Sequence, residues 1–474
     1  MIRWTLAQVA AAVDGQLFPN ASNAERAFAG VSTDTRKLVP GTLFIALRGP
    51  NHDGHAYLEM AREHGAAAAL VERGSESLYL PQIVVADTRR ALGQLAAAWR
   101  ASLPLRVVAV TGSNGKTTTK EMLHAIFARQ GPTQATLGNL NNDIGVPLTL
   151  LGLSPDTRYA IVEMGANHPG EIAELTALVR PDVALVTMAG RAHLEGFGGP
   201  DGVVRAKGEI YAGLGADGVA IINLDSPGAA WWREINAGRR CLGFSLEGHP
   251  EADLRGHWQA QGTGGELQLE GAMRLTVRLP LPGRHNAANA LAALCVAQAL
   301  DVAPQAARQA LEAMTPVKGR LNPHRLPSGA LLLDDTYNAN PDSLAAGIAA
   351  QKALGGESWL VLGDMGELGE AGQALHREAG QQARALGVRR LYALGPLAAR
   401  AAEGFGDGAR AFAGLEELLR ALRAELAPEV VLLVKGSRFM RMEQVVSALL
   451  TAPETDVNTA GEPEKSKSES GSAA

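Results

Sequence analysis

The sequence L-R-V-V-A-V-T-G-S-N-G-K-T-T, residues 105–118, determines how the surrounding chain folds. Its apolar half, Leu105–Val110, predicts a buried strand. Downstream, Met122 and Ile126 are four residues apart and predict the apolar face of a helix. A glycine loop that ends in Gly-Lys-Thr between a strand and a helix is typical of a P-loop, whose backbone N–H groups and helix N-terminus face phosphate oxygens.

The side chains of this loop have different predicted roles. Lys116 can reach the β- and γ-phosphates of ATP, and the Thr117 hydroxyl can bind Mg²⁺. The general P-loop pattern has glycine at the position of Val110, so a glycine turn before an ordinary helix is the alternative. The position of Gly-Lys-Thr at the strand–helix junction favours nucleotide binding. The candidate ATP ligands here are Thr111, Gly112, Ser113, Asn114, Gly115, Lys116, Thr117 and Thr118.

Short apolar runs alternate with helical stretches along most of the chain, which predicts doubly wound α/β units. The predicted strands are Leu43–Leu47, Ala68–Glu72, Gln82–Ala86, Tyr159–Met164, Asp182–Met188, Gly218–Asn223, Ala330–Asp334, Trp359–Leu362, Arg390–Leu394 and Val430–Val434. We expect three α/β domains, residues 1–86, 87–316 and 317–452. Residues 453–474 contain Val457 as their one large aliphatic residue, so this tail is expected to be disordered.

Composition excludes several classes of protein. The chain has 474 residues, of which 46% are hydrophobic, enough for a large core. With 44 Lys and Arg against 49 Asp and Glu, the net charge of −5 gives no electrostatic reason to expect a nucleic-acid partner. Cys241 and Cys295 are far apart, which fits a reducing compartment. Neither an export signal nor a long apolar segment is visible, so we expect a cytoplasmic protein without membrane insertion.

Glu163 is a candidate metal ligand, and two further polar residues follow it along the chain. Glu163 ends a predicted parallel strand, where α/β proteins bind ligands, and its oxygens suit Mg²⁺. His193 follows the next strand, and Lys207 lies on a predicted helix Val203–Leu214. Taken singly, these would be a loop carboxylate, a structural histidine and a surface lysine.

Two polar segments are candidate binding elements. His285, Asn286 and Asn289 lie at the start of a helix rich in alanine and leucine, where they are either ligands or capping residues of a glycine turn. Near the N-terminus, hydroxyl groups, backbone amides and an arginine could hold a diphosphate, although a plain polar loop is the alternative. The candidates there are Ser32, Asp34, Thr35 and Arg36.

The phosphate loop resembles that of the Mur ligases and their folylpolyglutamate synthase relatives. Other motifs of the family occur in order: N-N-D-I-G-V-P (141–147), E-M-G-A-N-H (163–168), G-R-A-H-L-E-G-F (190–197), G-R-H-N (283–286), D-T-Y-N-A-N-P-D-S (335–343) and L-G-D-M-G-E-L-G (362–369). The resemblance covers residues 25–445. It implies a small UDP-binding domain, a central P-loop mononucleotide-binding domain and a C-terminal Rossmann-like domain.

The resemblance also implies an activity. It predicts an ATP-dependent ligase, active as a monomer, that adds D-alanyl-D-alanine to UDP-N-acetylmuramoyl-tripeptide through an acyl phosphate, in peptidoglycan precursor synthesis. ATP and Mg²⁺ are the implied cofactors. Glu163, His193 and a carbamylated Lys207 are the implied metal ligands, together with Thr117. Carbamylation would turn a cation into an anionic oxygen ligand.

The remaining roles are implied by the same resemblance. His285, Asn286 and Asn289 would lie against the adenine, and Asp335 would contact the ribose. Lys116, Lys207 and Arg320 would be catalytic. Arg320 would contact the γ-phosphate when the domains close on ATP, which predicts that it meets Lys116 there. Ser32, Asp34, Thr35 and Arg36 would bind the UDP group. The remaining candidates for binding the substrates are Asn142, Tyr337, Asn338 and Asn340.

Three alternatives remain at this stage. The Mur ligase that adds the third amino acid has a D-N-P-R motif in its diaminopimelate-specific form, and Asn322-Pro323-His324-Arg325 does not match it. Folylpolyglutamate synthase lacks a UDP-type N-terminal domain. A nucleotide-binding scaffold is the non-enzymatic alternative, and intact Lys116, Glu163, His193 and Lys207 argue against it.

Overall fold

The computed structural model describes residues 1–19, 21–191 and 194–451. His193 and the predicted tail 453–474 therefore lie outside the described residues. Three larger α/β sheets follow one another along the chain, as the fold prediction requires. No helix in the described part of the chain is long and apolar enough to cross a membrane.

The N-terminal unit has a five-stranded sheet in the order β2-β7-β6-β5-β4 and a separate β1–β3 pair. Its strands are β1 (Arg3–Thr5), β2 (Gln16–Phe18), β3 (Ala27–Ala29), β4 (Val31–Ser32), β5 (Leu43–Ile45), β6 (Ala68–Val71) and β7 (Gln82–Val84). Its helices are α1 (Leu6–Ala12) and α2 (Leu58–Glu63). β4 to β7 are parallel, which confirms the predicted strands of this unit within two residues.

The central unit has a nine-stranded sheet in the order β16-β15-β14-β13-β12-β11-β8-β10-β9. Its strands are β8 (Arg106–Thr111), β9 (Thr133–Ala135), β10 (Tyr159–Glu163), β11 (Val183–Val186), β12 (Val219–Asn223), β13 (Arg240–Ser245), β14 (Leu254–Gln261), β15 (Gly264–Gly271) and β16 (Leu275–Leu279). Its helices are α3 (Thr88–Ala101), α4 (Lys116–Ala128), α5 (Gly145–Leu151), α6 (Glu171–Val179), α7 (Leu194–Phe197), α8 (Pro200–Gly208), α9 (Ala229–Ile235), α10 (Arg284–Ala299) and α11 (Pro304–Glu312). The antiparallel extension β14–β16 was not among the predicted strands.

The C-terminal unit has a six-stranded sheet in the order β17-β18-β22-β19-β20-β21, parallel except for β17. Its strands are β17 (Asn322–Arg325), β18 (Leu331–Asp335), β19 (Glu357–Gly363), β20 (Arg390–Leu394), β21 (Ala409–Phe412) and β22 (Val430–Lys435). Its helices are α12 (Pro341–Ala353), α13 (Gly372–Ala385), α14 (Ala398–Phe405), α15 (Leu415–Glu425) and α16 (Glu443–Leu450).

Strand β8 is buried on both faces, which explains its continuous apolar sequence. Val108 and Val110 pack with Met122 and Ile126 of α4, so the predicted helix face is confirmed. Val107 on the other face belongs to a core that continues into the N-terminal unit. Because β8 lies between the parallel strands β10 and β11, their carboxyl ends place three loops at one edge of the sheet.

One predicted helix has different bounds. The predicted helix Val203–Leu214 is instead α8 (Pro200–Gly208) followed by a 3₁₀ turn, Glu209–Gly213. Pro200 stands at the first turn of α8, where a missing N–H costs nothing. Glu209 leaves the helix to accept hydrogen bonds from Gly170 N (2.8 Å) and Ala173 N (3.2 Å) at the start of α6. These tertiary contacts end the helix at Gly208 instead of at the predicted Leu214.

Candidate active site

The phosphate loop requires two of its glycines. Gly112 has φ +149° and Gly115 has φ +83°, in the region that side chains disfavour. A Cβ on Gly112 would lie 1.9 Å from Thr187 Oγ1, and one on Gly115 would lie 2.3 Å from Asn289 Oδ1. The loop therefore curls tightly with its backbone enclosed by neighbouring chain, and α4 begins directly after it.

Neighbouring strands hold this loop in place through hydrogen bonds. Ser113 N donates to Met188 O over 2.9 Å. Thr187 Oγ1 donates to Asn114 O over 2.6 Å, and Thr111 Oγ1 donates to Met164 O over 2.8 Å. The side chains of Thr111 and Thr118 are buried, whereas Ser113 to Thr117 line a cavity. The predicted contacts of Thr111 and Thr118 with ATP stay predictions.

That cavity, of about 400 Å³, lies between the central and C-terminal units. It brings the phosphate loop together with six other predicted residues: Asn142, Glu163, Arg320, Tyr337, Asn338 and Asn340. Several other lining side chains were not among the predicted site residues, namely Asn139, Asn141, Glu171, Glu367 and Arg438. Glu367 and Arg438 follow the ends of β19 and β22, where ligands of α/β proteins bind. The sequence of Lys435–Arg438 predicts such a ligand edge at the end of β22 but assigns no ligand to it.

Arg320 reaches from the C-terminal unit to the phosphate loop. Its Nη2 lies 3.5 Å from Thr117 Oγ1, and its guanidinium carbon lies 4.1 Å from the centre of the Tyr337 ring. Its Nε is buried and has no hydrogen-bond partner among the residues described. Asn340 Nδ2 also crosses between units, donating to Asn114 Oδ1 over 2.9 Å. Lys116 and Arg320 therefore face one cavity, which is the arrangement expected of closed domains.

Lys116 lies across its own loop, with Nζ donating to Gly112 O over 2.7 Å. Burial lowers the pKa of the Lys116 amine, the negative charge of Glu163 opposes that shift, and the positive charge of Arg320 adds to it. Lys116 and Arg320 place two cations at the phosphate-loop end of the cavity, where they repel each other. This end of the cavity is therefore suited to an anion with several charges, such as a polyphosphate.

Glu163 is the clearest candidate metal ligand. It is 2% exposed, and Asn141 Nδ2 donates to its Oε1 over 2.8 Å. Its Oε2 is buried without a hydrogen-bond partner in the described part of the chain. A buried carboxylate oxygen with no donor is costly, and a hard cation such as Mg²⁺ would satisfy it. Because Thr117 lines the same cavity, these residues fit Mg²⁺.

Lys207 is buried, contrary to what a lone helical lysine leads one to expect. It is 1% exposed, and its Nζ lies 4.8 Å from the centre of the Phe197 ring. Burial, followed by the positive charge of Lys116, lowers the pKa of Lys207 to about 7. The described residues contain no group of three or more His, Cys, Asp or Glu that could hold a metal. The third predicted ligand, His193, lies outside them.

A second cavity, of about 600 Å³, adjoins the G-R-H-N motif. It is lined by His285 from the central unit and by Ala346 and Ala350 from α12 of the C-terminal unit. Burial lowers the pKa of His285 to about 4, although Asp335 opposes this shift. Asp335 accepts from the buried Lys435 Nζ over 2.5 Å.

Asn286 and Asn289 do not line either of these cavities. Asn286 Nδ2 donates to Pro282 O over 2.8 Å, and Asn289 packs against Gly115 of the phosphate loop. Both side chains therefore stabilise the start of α10 and its contact with the loop. Their predicted contact with adenine stays a prediction.

The N-terminal unit has its own cavity, of about 440 Å³. Asp34, Thr35 and Arg36 line it. Ser32 does not, because its Oγ donates to Asp34 O over 2.9 Å within the turn. Arg36 Nη2 lies 2.8 Å from Asp34 Oδ2, and this ion pair holds the pKa of Asp34 down at about 2. The Arg36 side chain is 84% exposed, so it can also reach a ligand in the cavity.

Models of known protein families match all three units of the chain. Residues 27–100 match the model of the Mur ligase family, catalytic domain; residues 110–297 match the Mur ligase middle domain; and residues 319–438 match the Mur ligase, glutamate ligase domain. The UDP-N-acetylmuramoyl-tripeptide–D-alanyl-D-alanine ligase of Escherichia coli (strain K12) is 43% identical, over 95% of this chain and 99% of that protein. The chain belongs to the Mur ligase family.

Solved structures agree with this assignment. MurF from Acinetobacter baumannii is 37% identical to this Mur ligase, with a TM-score of 0.89 over 95% of this chain and 99% of the other. MurF ligase from Thermotoga maritima in complex with ADP is 28% identical, with a TM-score of 0.80 over 89% of this chain and 97% of the other. The predicted three-domain Mur ligase fold is therefore confirmed.

Proposed function

We propose that this Mur ligase joins D-alanyl-D-alanine to UDP-N-acetylmuramoyl-tripeptide in peptidoglycan synthesis and converts ATP to ADP and phosphate. The observation that carries the proposal is near-full-length similarity, at 43% identity, to the Escherichia coli ligase of that name. A cavity enclosed by a phosphate loop and a second unit supports it, because such a reaction must exclude water from an activated intermediate.

The reaction must turn a carboxylate, which is a poor electrophile, into an acylating agent. A carboxylate oxygen of the tripeptide attacks the γ-phosphorus of ATP, the bond to the bridging oxygen breaks, and ADP leaves. Lys116 and Arg320 face the loop on which the phosphates would lie, and they stabilise the charge that develops there. The neutral amine of the dipeptide then attacks the acyl carbon, the carbon–oxygen bond to phosphate breaks, and phosphate leaves with the proton that the amine gives up.

We propose that Thr117 and Glu163 hold Mg²⁺, with His193 as a further ligand. When bound, Mg²⁺ would neutralise phosphate charge beside the loop. The buried, unpaired Glu163 Oε2 supports this assignment. Asn141 orients the same carboxylate through its other oxygen.

Carbamylation of Lys207 is part of the same proposal. A lysine reacts with CO₂ only as the neutral amine, and a pKa near 7 makes that form abundant at neutral pH. The product would place an anionic oxygen group in the space now occupied by a buried amine. Lys207 is buried, and the positive charge of Lys116 affects its pKa. This interaction supports placing the Lys207 carbamate near the phosphates.

The remaining substrate groups are assigned by cavity. The N-terminal cavity at Asp34, Thr35 and Arg36 would hold the UDP group, and the cavity at His285 would hold the adenosine. We propose domain boundaries near residues 86 and 316, between the three sheets. A cytoplasmic location follows from the use of ATP and a UDP-linked precursor, and two free cysteines fit it.

The proposal is tested by phosphate release with each substrate omitted in turn. We expect release only when ATP, the UDP-tripeptide and D-alanyl-D-alanine are all present. A ligase for the third amino acid would instead need the UDP-dipeptide and a free amino acid. A nucleotide-binding scaffold would release no phosphate, or would release it regardless of both other substrates.

A further inference from the structure

The candidate active-site cavity contains one cation that the steps above do not use. Lys116, Arg320 and Arg438 are the cationic side chains among its described lining residues. The first two lie at the phosphate loop, Lys116 2.7 Å from Gly112 O and Arg320 3.5 Å from Thr117 Oγ1. Arg438 instead follows β22 of the C-terminal unit, so it is available to a different substrate.

The backbone before Arg438 is fixed by the buried residue Ser437. Ser437 N donates to Asp364 O over 3.0 Å, and Ser437 Oγ accepts from Gly366 N over 2.8 Å and donates to Ala339 O over 3.3 Å. Gly366 and Ala339 both line the cavity. Ser437 therefore fixes the backbone from which the Arg438 side chain extends, by joining it to two segments that line the cavity.

Among the residues that the structure describes, Glu443 anchors one side of the Arg438 guanidinium. Its Nη1 donates to Glu443 Oε1 over 2.9 Å, while the side chain is 63% exposed. An arginine carries five N–H donors in a planar fork, so one bond to Glu443 leaves others for a second carboxylate. Glu443 thus orients Arg438 without saturating it.

A carboxylate lines the same cavity as this arginine. Glu367 follows Gly366 and has φ +61°, a left-handed conformation that is unfavourable for a residue other than glycine. Such strain is kept where the surrounding structure imposes it, and it is frequent at ligand-binding sites. The hydrogen bond from Gly366 N to Ser437 Oγ ties the Glu367 segment to the Arg438 segment.

We propose that Arg438 and Glu367 form the two ends of the subsite for the incoming dipeptide, an inference that rests on the proposed function. D-Alanyl-D-alanine is a zwitterion that spans at most about 7 Å when extended. Arg438 binds its carboxylate, and Glu367 binds its amino end. The carboxylate passes through the reaction unchanged, so an ion pair to it positions the amine without resisting the chemistry.

The test compares two substrates in two proteins. D-Alanyl-D-alaninamide keeps the amine and both methyl groups but lacks the negative charge. With the unmodified protein, we expect the amide to have a KM about 10- to 100-fold above that of the dipeptide, the range for a hydrogen bond to a charged group. Arg438→Gln should raise the KM for the dipeptide by a similar factor and abolish the difference between dipeptide and amide.

Substrate-by-substrate changes separate this role from a structural one. The KM values for ATP and UDP-tripeptide should change less than about twofold in Arg438→Gln, since the proposal assigns Arg438 to the dipeptide alone. Glu367→Gln should raise the KM for dipeptide and amide alike. The matched control is Arg410→Gln, another exposed arginine of this unit paired with glutamate, with side chains 52% and 25% exposed against 63% and 29% for Arg438 and Glu443. It should leave every KM unchanged.

Several results would overturn the inference. Equal KM values for dipeptide and amide in the unmodified protein would show that the carboxylate is not recognised, and that comparison needs no variant. An unchanged preference for the dipeptide in Arg438→Gln, or a change confined to the UDP-tripeptide KM, would remove Arg438 from this subsite. Absence of dipeptide-dependent phosphate release from the unmodified protein would reject the proposed function itself.

Discussion

Replacing Lys207 by alanine tests the most unusual side chain of the candidate site. At pH 7.5 an amine with the pKa of Lys207, about 7, is roughly three quarters neutral, against about 0.1% for an exposed lysine. The form that reacts with CO₂ is therefore several hundred times more abundant at this position, on the order expected from the pKa difference. Lys207→Ala removes this reactive amine.

We expect Lys207→Ala to lower kcat by about 10²-fold or more, because an anionic group beside the phosphates is lost. ATP binding should stay close to that of the unmodified protein, since the phosphate loop is untouched. Formate or acetate should restore part of the turnover by supplying the missing carboxylate. Lys207→Glu should retain part of the activity, and Lys207→Arg should retain none, because guanidinium cannot ligate a metal.

Phosphate release and nucleotide titration measure these effects, and ¹³C NMR of protein equilibrated with labelled CO₂ detects the carbamate directly. Lys207→Met preserves side-chain volume, so its loss of activity would not come from a cavity. The exposed Lys352 provides the control, since Lys352→Ala should change neither the rate nor the labelled signal. Full activity of Lys207→Ala, or an unchanged carbamate signal in it, would refute the carbamate assignment.

Three other outcomes are expected. Lys116→Ala should lower turnover by about 10²-fold or more; near-normal phosphate release would contradict the P-loop assignment. Arg191 Nε lies 2.9 Å from Asp342 Oδ1 and joins the central and C-terminal units. Asp342→Asn should therefore slow turnover by about two- to fivefold at low salt and reduce its salt dependence, and an unchanged salt profile would argue against this contact. His285 has a pKa of about 4 in the folded protein, below its ordinary value of 6.5, so the unfolded chain binds the proton first and stability falls as pH drops from 6.5 to 4. Over that pH range the melting temperature of His285→Gln should fall less than that of the unmodified protein. An equal fall would show that His285 is not the source of the loss.

The strands of this protein were predictable because most are buried on both faces. A continuous apolar run between polar loops then marks each one, and Arg390–Leu394 has the predicted bounds. The extension β14–β16 lacks that signal. In β15 (Gly264–Gly271), Leu267 and Leu269 alternate with polar residues between glycines, which is typical of a sheet packed on one face and is easily taken for loop.

Site residues at strand ends were predictable for a similar reason. Glu163 could be placed at the ligand edge because parallel strands end together. The burial of Lys207 could not be predicted from α8 alone, since a lysine on a short helix is usually solvated. Phe197, which covers its amine, belongs to the preceding helix α7, and only the tertiary packing brings the two together. The approach of Asn289 to Gly115 is likewise long-range, since α10 and the phosphate loop are far apart in sequence.

We expect the same charges that suit the cavity to ATP also to couple nucleotide binding to closure of the domains. Arg320 lowers the pKa of Lys116, which means that closing the C-terminal unit over the phosphate loop brings two cations together. In an empty cavity this repulsion opposes the contacts that hold the units closed, Asn114 with Asn340 and Arg191 with Asp342. A polyphosphate between the cations reverses the sign of that interaction. ATP would then stabilise the closed arrangement by the difference between its affinities for the closed and open states. Closure would therefore depend on the substrate whose activated product must be kept from water.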